Sequence, residues 1–327
     1  MPVAAYHACA VTDTRLKFPA ELSGFAFTGE PLNRADALRD DADALARLWP
    51  QARVIVLDAD GNAFADETGQ LLVTTGAALG GGPGTAVLLG LHGDVAWFSV
   101  EAEALPLTAP QRIDLRRAAA SWPAAEASAF AFARAMQHWR RRTRYCGICG
   151  GAIEFRRAGY VAHCTQCGAD HYPRVDPAVI VAVSDGERLL LGRQANWPAQ
   201  RYSVIAGFVE PGESLEQTVV REVFEETRVR VRSCRYLGAQ PWPFPGALML
   251  GFIADAEADE PQVDGELEDA RWFSIEEIAA ARQRKGEDAS GMLLSPRISI
   301  ARSLIEHWYE GITARNTVGR GYAPDAR

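Results

Sequence analysis

The sequence of 327 residues contains no apolar segment long enough to cross a membrane. Its longest apolar runs, such as Ala86–Leu89 and Val179–Val183, are much shorter than the roughly 20 residues that a membrane helix needs. The first residues also lack the basic segment followed by an apolar one that marks a secretory signal. We therefore expect a cytoplasmic protein with no membrane partner.

Basic residues are outnumbered by acidic ones. The chain has 34 Lys and Arg against 42 Asp and Glu, which gives a formal net charge of −8. A protein that binds nucleic acid mainly through phosphate contacts is normally basic, because each contact neutralises a negative charge. The composition therefore disfavours a dedicated nucleic-acid coat protein.

Cysteine is scarce, and its spacing is informative. Four of the six cysteines form two Cys-x-x-Cys pairs, which in a reducing compartment indicate a metal site rather than disulfides. Four thiolates on two tight turns predict a closed tetrahedral site for structural zinc, with iron as the alternative that ligand type alone does not exclude. The predicted ligands are Cys146, Cys149, Cys164 and Cys167. His163 and His171 flank the site, and we expect neither to be a ligand because four thiolates complete it.

The first 120 residues resemble a β-rich domain. Short apolar runs at Arg53–Asp58, Ala86–Leu91 and Val95–Val100 predict strands separated by turns. The glycine-rich segment Gly80–Gly84 could cradle a phosphate. It lacks the Lys-Ser/Thr of a Walker motif and no helix pattern follows it, so we interpret it as a turn.

An alanine-rich segment, Ala124–Arg142, has apolar residues at helical spacing and predicts a helix that links two parts of the chain. Arginines cluster at its end. They could grip phosphates, or they could complement the negative end of the helix dipole and solvate the surface, which we favour. The cluster comprises Arg134, Arg140, Arg141, Arg142 and Arg144.

From residue 173 to residue 315 the pattern alternates between strands and helices. Apolar runs predict strands at Val179–Val183, Arg188–Leu191 and Leu248–Ala254. A helix is expected after Ser214, and a second amphipathic helix over Ile298–Trp308. Residues 316–327 are expected to form a loose tail.

The helix after Ser214 carries three acidic residues on one face. Ser214 and Gln217 form a capping-box pattern, which predicts the start of the helix. At 3.6 residues per turn the three glutamates fall within an arc of about 100°. Those glutamates are Glu222, Glu225 and Glu226.

Two explanations of this acidic face are open from the residues alone. Like charges at this spacing repel, so the face is either an ordinary solvated surface or a binding site for divalent cations that bridge to phosphates. We expect the other side of the helix, with Val220, Val223 and Phe224, to be buried.

The frame around the glutamates resembles the Nudix box, the signature of hydrolases that act on nucleoside diphosphates linked to another group. The matching residues are Gly207, Glu213, Arg221, Glu222, Val223, Glu225, Glu226 and Val229. Arg228 replaces the glycine that normally ends the helix in a left-handed conformation, which costs a non-glycine residue about 1 kcal/mol.

The resemblance implies a catalytic function for the glutamates. Mg²⁺ or Mn²⁺ held by Glu222, Glu225 and Glu226 would neutralise a pyrophosphate and activate water. Arg221 is expected to pair with Glu213 and hold the loop against the helix. Glu226 is the predicted critical metal ligand or base.

A second motif, Gln240-Pro-Trp-Pro-Phe-Pro245, contains three alternating prolines. By itself it could be a polyproline ligand for a partner domain, or a buried loop that precedes the next strand, which we favour. It closely resembles the array that marks the NADH pyrophosphatase branch of the Nudix family, to which zinc knuckles ahead of the box also belong. Ala239 and Ala247 replace the two serines of the array.

The branch resemblance implies further site residues at matching positions. Glu266 corresponds to an additional metal-binding glutamate, with Glu268 as a rival. A substrate-contacting glutamate expected between the two knuckles is Gly159 here and is not transferred. The expected substrate contacts are Tyr172, Ala206, Phe208, Gln240, Trp242, Phe244, Ala247 and Ala301.

We predict an α+β chain with a β-rich Nudix-associated domain at 1–120, a linker helix at 121–144, a zinc ribbon at 145–172 and a Nudix α/β/α sandwich at 173–315. The expected reaction is hydrolysis of NADH or NAD⁺ to nicotinamide mononucleotide and AMP by a homodimer with structural Zn²⁺ and catalytic Mg²⁺ or Mn²⁺. NAD-capped RNA is a further expected substrate.

Two rival functions stay open. One is a Nudix hydrolase of ADP-ribose or a dinucleoside polyphosphate, which the proline-aromatic motif disfavours. The other is a zinc-ribbon RNA-binding protein with an inactive Nudix domain. The arginine cluster favours this second rival, whereas the intact glutamate set and the net charge of −8 oppose it.

Overall fold

The computed structural model describes residues 22–29, 32–105, 107–263, 265–284 and 291–320, without the side chains of residues 104 and 316–320. Contacts divide this part of the chain into two compact units. The first unit comprises residues 26–175 and 242–246, and the second comprises residues 22–25, 176–241 and 247–320. In the described part of the chain, no helix combines the length and apolar character needed to span a bilayer.

The first unit contains a six-stranded sheet. Its strands are β1 (Arg53–Leu57), β2 (Ala63–Ala65), β3 (Val73–Thr75), β4 (Val87–His92), β5 (Val95–Glu101) and β6 (Gln111–Ile113). The strand order is β4-β5-β1-β2-β6, and β3 also pairs with β1. Only the β1–β5 pair is parallel. This sheet confirms the β-rich prediction and all three predicted strands.

Four α-helices accompany this sheet: α1 (Ala42–Leu48), α2 (Gly76–Leu79), α3 (Leu115–Ser121) and α4 (Ala124–Arg142). Short 3₁₀ turns lie at Asp36–Asp40, Trp49–Gln51 and Ala102–Ala104. Side chains alternate along each strand, so both faces of the sheet are covered. Val54 packs in a cluster with α1, whereas Ile55 packs in the cluster that contains α4.

Helix α4 has the bounds that the sequence predicts, but it is not a free linker. Phe130, Met136 and Trp139 are buried in the main hydrophobic cluster of the first unit. Small alanines on the same face, such as Ala129 and Ala133, are also buried and let the helix approach the sheet closely. The helix is therefore part of the core of this unit.

The cysteine-rich segment also belongs to the first unit. It forms a three-stranded sheet of β7 (Ile153–Arg156), β8 (Val161–Cys164) and β9 (Asp170–His171), with a 3₁₀ turn at Arg157–Gly159. The antiparallel register pairs Ile153 with Cys164, so β7 and β8 form a hairpin between the two cysteine pairs. Gly159 has a φ of +95°, and a Cβ there would lie 3.0 Å from Val87. A larger residue at this position would therefore be both strained and crowded.

The second unit is built on a mixed six-stranded sheet. Its strands are β10 (Asp176–Ser184), β11 (Leu189–Arg193), β13 (Ile205–Phe208), β14 (Val231–Trp242), β15 (Ala247–Ala256) and β16 (Asp269–Phe273), and β12 (Arg201–Tyr202) pairs separately with β17 (Leu293–Leu294). The order is β14-β15-β10-β11-β16, with β13 paired to β10. Strands β10 and β15 run parallel over nine residue pairs.

Helices cover both faces of this sheet. They are α5 (Leu215–Thr227), α6 (Ile275–Gln283) and α7 (Ile300–Arg320). Val179 and Val181 of β10 share a buried cluster with α5, whereas Ile180 and Ala182 share a different cluster with α7. Because alternate side chains of a strand point to opposite faces, α5 and α7 lie on opposite sides. The arrangement is the expected α/β/α sandwich.

Two predictions about helices α5 and α7 were wrong. Val223 is buried as expected, but Val220 and Phe224 are 46% and 43% exposed, because α5 contacts the sheet through Val219 and Val223. Helix α7 runs from Ile300 to Arg320, well past the predicted end at Trp308 and into the segment expected to be a loose tail. Residues 321–327 of the predicted tail lie outside the described residues.

Candidate active site and metal centre

The Nudix-box glycine sets the distance between strand β13 and helix α5. Gly207 pairs with Val179 of the central strand. A Cβ built on Gly207 would lie 1.9 Å from Cδ of Glu222. Any side chain here would displace the carboxylate, so the glycine allows Glu222 to lie directly against the strand.

Helix α5 begins at the predicted cap. The Ser214 hydroxyl accepts a hydrogen bond from the Gln217 amide at 3.3 Å, and the Gln217 side chain accepts one from the Ser214 amide at 2.8 Å. This reciprocal pair satisfies two amide groups that a helix start leaves without partners. The cap therefore fixes where the acidic residues fall along the helix.

Arg221 and Glu213 form the predicted pair between loop and helix. The Arg221 guanidinium donates to both Glu213 carboxylate oxygens, at 2.6 and 2.8 Å. It also donates to the Phe208 carbonyl at 2.9 Å, which ties strand β13 to the helix. Hydrogen bonding to Arg221 lowers the pKa of Glu213 to about 2. Glu213 therefore stays ionised and holds the loop, as a supporting residue.

Sequence reasoning missed a third member of this network. The Thr218 hydroxyl donates to Glu213 at 2.9 Å, and Thr218 is fully buried. Its sequence signal was its position: Thr218 lies four residues after the cap residue Ser214, on the side of the helix that faces the sheet. It fixes the orientation of the Glu213 carboxylate.

Glu226 is the most unusual carboxylate of the site. It is only 6% exposed, and its side chain has no hydrogen-bond or ion-pair partner among the described residues. Burial, followed by the charges of Glu266, Glu222 and Glu225, raises its pKa to about 8. Burial also raises the pKa of Glu222. A buried carboxylate without a cationic partner is costly, so this group is chemically suited to receive a cation.

The other glutamates are less enclosed. Glu225 is exposed and accepts a hydrogen bond from Arg221 at 2.9 Å. Among the described residues, only the four ribbon cysteines form a compact set with ligand atoms within 4.8 Å of one another. The glutamates thus form an open acidic surface rather than a closed cage. Such a surface suits Mg²⁺, which keeps several waters and uses one or two carboxylates at a time.

The geometry distinguishes Glu266 from its rival Glu268. Glu268 is ion-paired with Arg193, and its amide donates to the Arg193 carbonyl at 2.9 Å. Glu266 is exposed and close enough to raise the pKa of both Glu226 and Glu222. Leu267, between them, is buried against Gly192. The loop is therefore anchored at Leu267 and Glu268, which leaves Glu266 available to the acidic surface.

Arg228 occupies the left-handed position that the sequence predicts for it. Its φ and ψ are 60° and 9°, and its amide donates to the Phe224 carbonyl at 2.9 Å. The helix therefore ends as it would with glycine. The replacement leaves the positions of the acidic residues intact.

The ribbon cysteines are arranged as a tetrahedral thiolate site. Sγ of Cys146 lies 3.7 Å from Sγ of Cys167, and Sγ of Cys149 lies 3.5 Å from Sγ of Cys164. Zn–S bonds of about 2.3 Å imply sulfur separations of about 3.8 Å in a tetrahedron. The set therefore fits zinc.

Neighbouring groups support the thiolates. The amides of Ile148, Gly151 and Gln166 each donate to a ligand sulfur at 3.4 Å. Nε2 of His171 lies 3.3 Å from Sγ of Cys146. His163 instead pairs with Asp170 at 2.7 Å. His171 is thus an outer neighbour of the site, where it can hydrogen-bond to a ligand sulfur.

Known proteins match both parts of this arrangement. A model of the NUDIX domain matches residues 174–293, and a model of the NADH pyrophosphatase zinc ribbon domain matches residues 141–172. The NAD-capped RNA hydrolase NudC of Mycobacterium bovis (strain BCG / Pasteur 1173P2) is 38% identical over 288 residues, which cover 84% of this chain and 92% of that protein.

The chain belongs to the Nudix family. Human NAD-capped RNA hydrolase NUDT12 is 40% identical to this Nudix chain over 194 residues, which cover 56% of the chain and 42% of the human protein. Among solved structures, a NUDIX hydrolase from Nitrosomonas europaea is 26% identical, with a TM-score of 0.33, over 42% of this chain and 90% of that one.

The proline-aromatic motif of this Nudix chain is a packed turn of the first unit. Trp242 and Phe244 lie 4.9 Å apart between ring centroids, and 6.1 and 6.3 Å from Phe27. The Arg134 guanidinium donates to the carbonyl of Pro243, which is buried. The motif therefore matches the favoured buried loop and not an exposed polyproline ligand.

The side-chain amide of Gln240 is hydrogen-bonded within the chain. It is fully buried, accepts a hydrogen bond from the Ile300 amide at 2.8 Å and donates to the Ile298 carbonyl at 2.7 Å. Gln240 thus fixes the start of α7, and its contact with substrate stays a prediction. Ala301, in the first turn of α7, is only 2% exposed, and its amide donates to Ser299 at 3.2 Å.

The other predicted contacts differ in exposure. Ala206 and Ala247 are half-buried and lie on β13 and β15, paired with Ile180 and Asp176 of β10. By contrast, Phe208 is 59% exposed in the second unit, and Tyr172 is 65% exposed in the first. Each of these two rings is free to stack on a planar ligand.

Proposed function

We propose that this Nudix protein hydrolyses the pyrophosphate of NADH and NAD⁺, yielding reduced or oxidised nicotinamide mononucleotide and AMP. We further propose that it removes NAD caps from RNA 5′ ends. The observation that carries the proposal is the buried Glu226 carboxylate, which faces Glu222, Glu225 and Glu266 beside the box glycine. The similarity, over 84% of this chain, to a protein named NAD-capped RNA hydrolase supports the choice of substrate.

The catalytic cofactor in this proposal is Mg²⁺ or Mn²⁺, held by Glu222, Glu225, Glu226 and Glu266. A divalent cation at this surface supplies charge neutralisation of the pyrophosphate and acidification of water. The protein contributes the ionised carboxylates and their placement. Glu226, whose pKa is about 8 without a cation, must lose its proton when the cation binds.

Arg221 and Glu213 provide rigidity rather than chemistry. Their paired hydrogen bonds, and the bond from Arg221 to the Phe208 carbonyl, keep strand β13 and helix α5 at a fixed separation. A displacement of about 1 Å in an active site can cost about 100-fold in rate. The network therefore keeps the glutamates aligned for transfer of the phosphoryl group to water.

Substrate choice in this proposal depends on aromatic surface. Phe208 and Tyr172, each more than half exposed, are proposed to contact the bases of the dinucleotide. Ala239 and Ala247 remove two hydroxyls that the family motif carries. We expect fewer hydrogen bonds to ribose or phosphate there, and hence greater reliance on stacking.

The proposed zinc ion is structural. Four sulfurs fill its tetrahedron and leave no open position for substrate. Zinc coordination would stabilise the ribbon, which has only three short strands. Thiolate ligands also require reducing conditions, which supports a cytoplasmic location. By family resemblance we propose a homodimer, which sedimentation equilibrium tests directly.

Mass spectrometry of the reaction products tests the function. The zinc-loaded protein is incubated with NADH and Mg²⁺ or Mn²⁺, in parallel with Glu226→Gln and Glu216→Gln. We expect AMP and reduced nicotinamide mononucleotide from wild type and Glu216→Gln, and neither from Glu226→Gln. If the folded wild type leaves NADH intact, the proposal fails. Parallel reactions with ADP-ribose and a dinucleoside polyphosphate then test the rival substrates.

A further inference from the structure

A cavity of about 400 Å³ lies within the first unit, away from any residue assigned above. Ligand cavities typically measure about 300–1,000 Å³, so its volume suits a nucleotide-sized molecule. One wall is the glycine-rich connection between α2 and β4, and the other is the arginine-rich end of α4. From the sequence, phosphate binding was the less favoured interpretation of both segments, behind a turn and a solvated helix end.

The glycine-rich wall is held at both ends. Nε1 of Trp49 donates to the Gly80 carbonyl at 3.2 Å, and Arg140 donates to the Thr85 carbonyl at 2.7 Å. Between these anchors, the amides of Gly81, Gly82 and Gly84 donate no hydrogen bond to any described residue. A Cβ at Gly82 would meet no atom within 4 Å. The wall therefore carries backbone amides without a hydrogen-bond acceptor among the described residues, and backbone amides of this kind are common donors to bound anions.

The arginine wall carries an excess of positive charge. Arg141 is matched by Glu101 at 2.7 Å and also donates to the Asp58 carbonyl at 2.6 Å. Arg140 has no carboxylate partner and stacks on Phe155, 4.4 Å from the ring centroid. Arg144 is exposed and, within the described chain, makes no hydrogen bond or ion pair. The cavity lining thus carries three arginines against one acidic residue, Glu101, which is ion-paired with Arg141 and also acts on Arg140 through its charge, in a chain whose net charge is −8.

Part of the remaining lining is apolar, and Gln137 and Glu101 add polar groups to it. Leu79, Val100 and Leu105 lie on the cavity surface together with Trp49 and Phe155. A ligand that matches both parts has an anionic group for the arginines and a flat or apolar group for this surface. Inorganic phosphate matches only the first part, whereas a nucleotide matches both.

We propose that this cavity binds a nucleoside monophosphate unit, with the phosphate at Arg140, Arg144 and the glycine amides and the base against the apolar wall. Two sources share this chemistry: free AMP, and a nucleotide within an RNA chain. The inference does not depend on hydrolysis, because the cavity contains none of the acidic residues of the proposed active site.

The test compares two charge reversals at the end of α4. Arg144→Glu reverses a cavity arginine. Arg142→Glu makes the same change in charge at an exposed arginine that does not line the cavity. A third variant, Gly82→Trp, fills the cavity without changing charge. Isothermal titration calorimetry without divalent cations measures the binding of AMP, and fluorescence anisotropy measures the binding of a short uncapped RNA.

We expect the binding of AMP, RNA or both to weaken at least about tenfold in Arg144→Glu, since the substitution replaces a charged donor to the phosphate with a carboxylate that repels it. Gly82→Trp should weaken it similarly, and Arg142→Glu should change it less than about twofold. Loss of AMP binding identifies the free nucleotide as the source, and loss of RNA binding alone identifies the RNA chain.

Two outcomes would overturn the proposal. One is that Arg144→Glu and Gly82→Trp leave the binding of AMP and RNA unchanged, and the other is that the two charge reversals have equal effects. NADH hydrolysis is measured for every variant and should be unchanged. Its absence in wild type would count against the proposed function without affecting the cavity.

Discussion

The buried Glu226 carboxylate makes a quantitative prediction about stability. Its pKa of about 8 in the folded chain compares with an ordinary value of 4.5, which we take for the unfolded chain. Below pH 4.5 the group is protonated in both states and contributes nothing. As the pH rises from 4.5 to 8, the unfolded chain releases this proton and the folded chain retains it. Stability therefore falls over this range and the loss is complete above pH 8.

Glu226→Gln removes this loss because the amide is neutral at every pH. From the two pKa values, the gain in unfolding free energy without divalent cations is about 1 kcal/mol at pH 5.5 and about 4 kcal/mol at pH 7.5. Added Mg²⁺ should stabilise the wild type more than the variant, since the cation binds the ionised carboxylate. The more stable variant should also be inactive.

Urea unfolding at both pH values, followed by circular dichroism and tryptophan fluorescence, measures this gain. Glu216→Gln, at an exposed position in the first turn of the same helix, changes the total charge equally and should alter stability by less than about 0.5 kcal/mol. If Glu226→Gln shows no gain at pH 7.5, or the same gain at both pH values, burial does not raise the pKa of Glu226 as argued.

Three further substitutions test the site, the helix end and the ribbon. Gly207→Ala should lower kcat about 100-fold by displacing the neighbouring carboxylate of Glu222. The control Gly311→Ala, where a Cβ meets nothing within 4 Å, should leave kcat unchanged. Equal values of kcat in the two variants would refute the packing argument. Arg228→Gly should raise the unfolding free energy by about 1 kcal/mol, because glycine adopts the left-handed conformation without strain. Urea unfolding measures this change. A loss of stability would show that the contacts of the arginine side chain stabilise the chain by more than the backbone strain destabilises it. Cys164→Ser should abolish zinc binding, measured by atomic absorption, and destabilise the first unit. The control is Cys234→Ser, outside the cluster. Zinc retained by Cys164→Ser would contradict the four-thiolate site.

Local patterns in the sequence predicted several features correctly. The capping box at Ser214 fixes the start of α5 because its hydrogen bonds join residues only three positions apart. The spacing of the cysteines predicted the thiolate site, and the helix over Ala124–Arg142 has the expected bounds. Each depends on interactions within one segment or between two adjacent turns. Family resemblance supplied the remaining site residues.

Other properties were decided only when distant segments packed together. Gln240 is buried because its amide is used by residues about 60 positions later at the start of α7. Phe224 is exposed because α5 contacts the sheet through the helix face that carries Val219 and Val223. The raised pKa of Glu226 requires burial together with the charge of Glu266, 40 residues away in sequence. Desolvation and the interaction between charges depend on distances in space. The periodicity of one helix does not give the distances to residues of other segments.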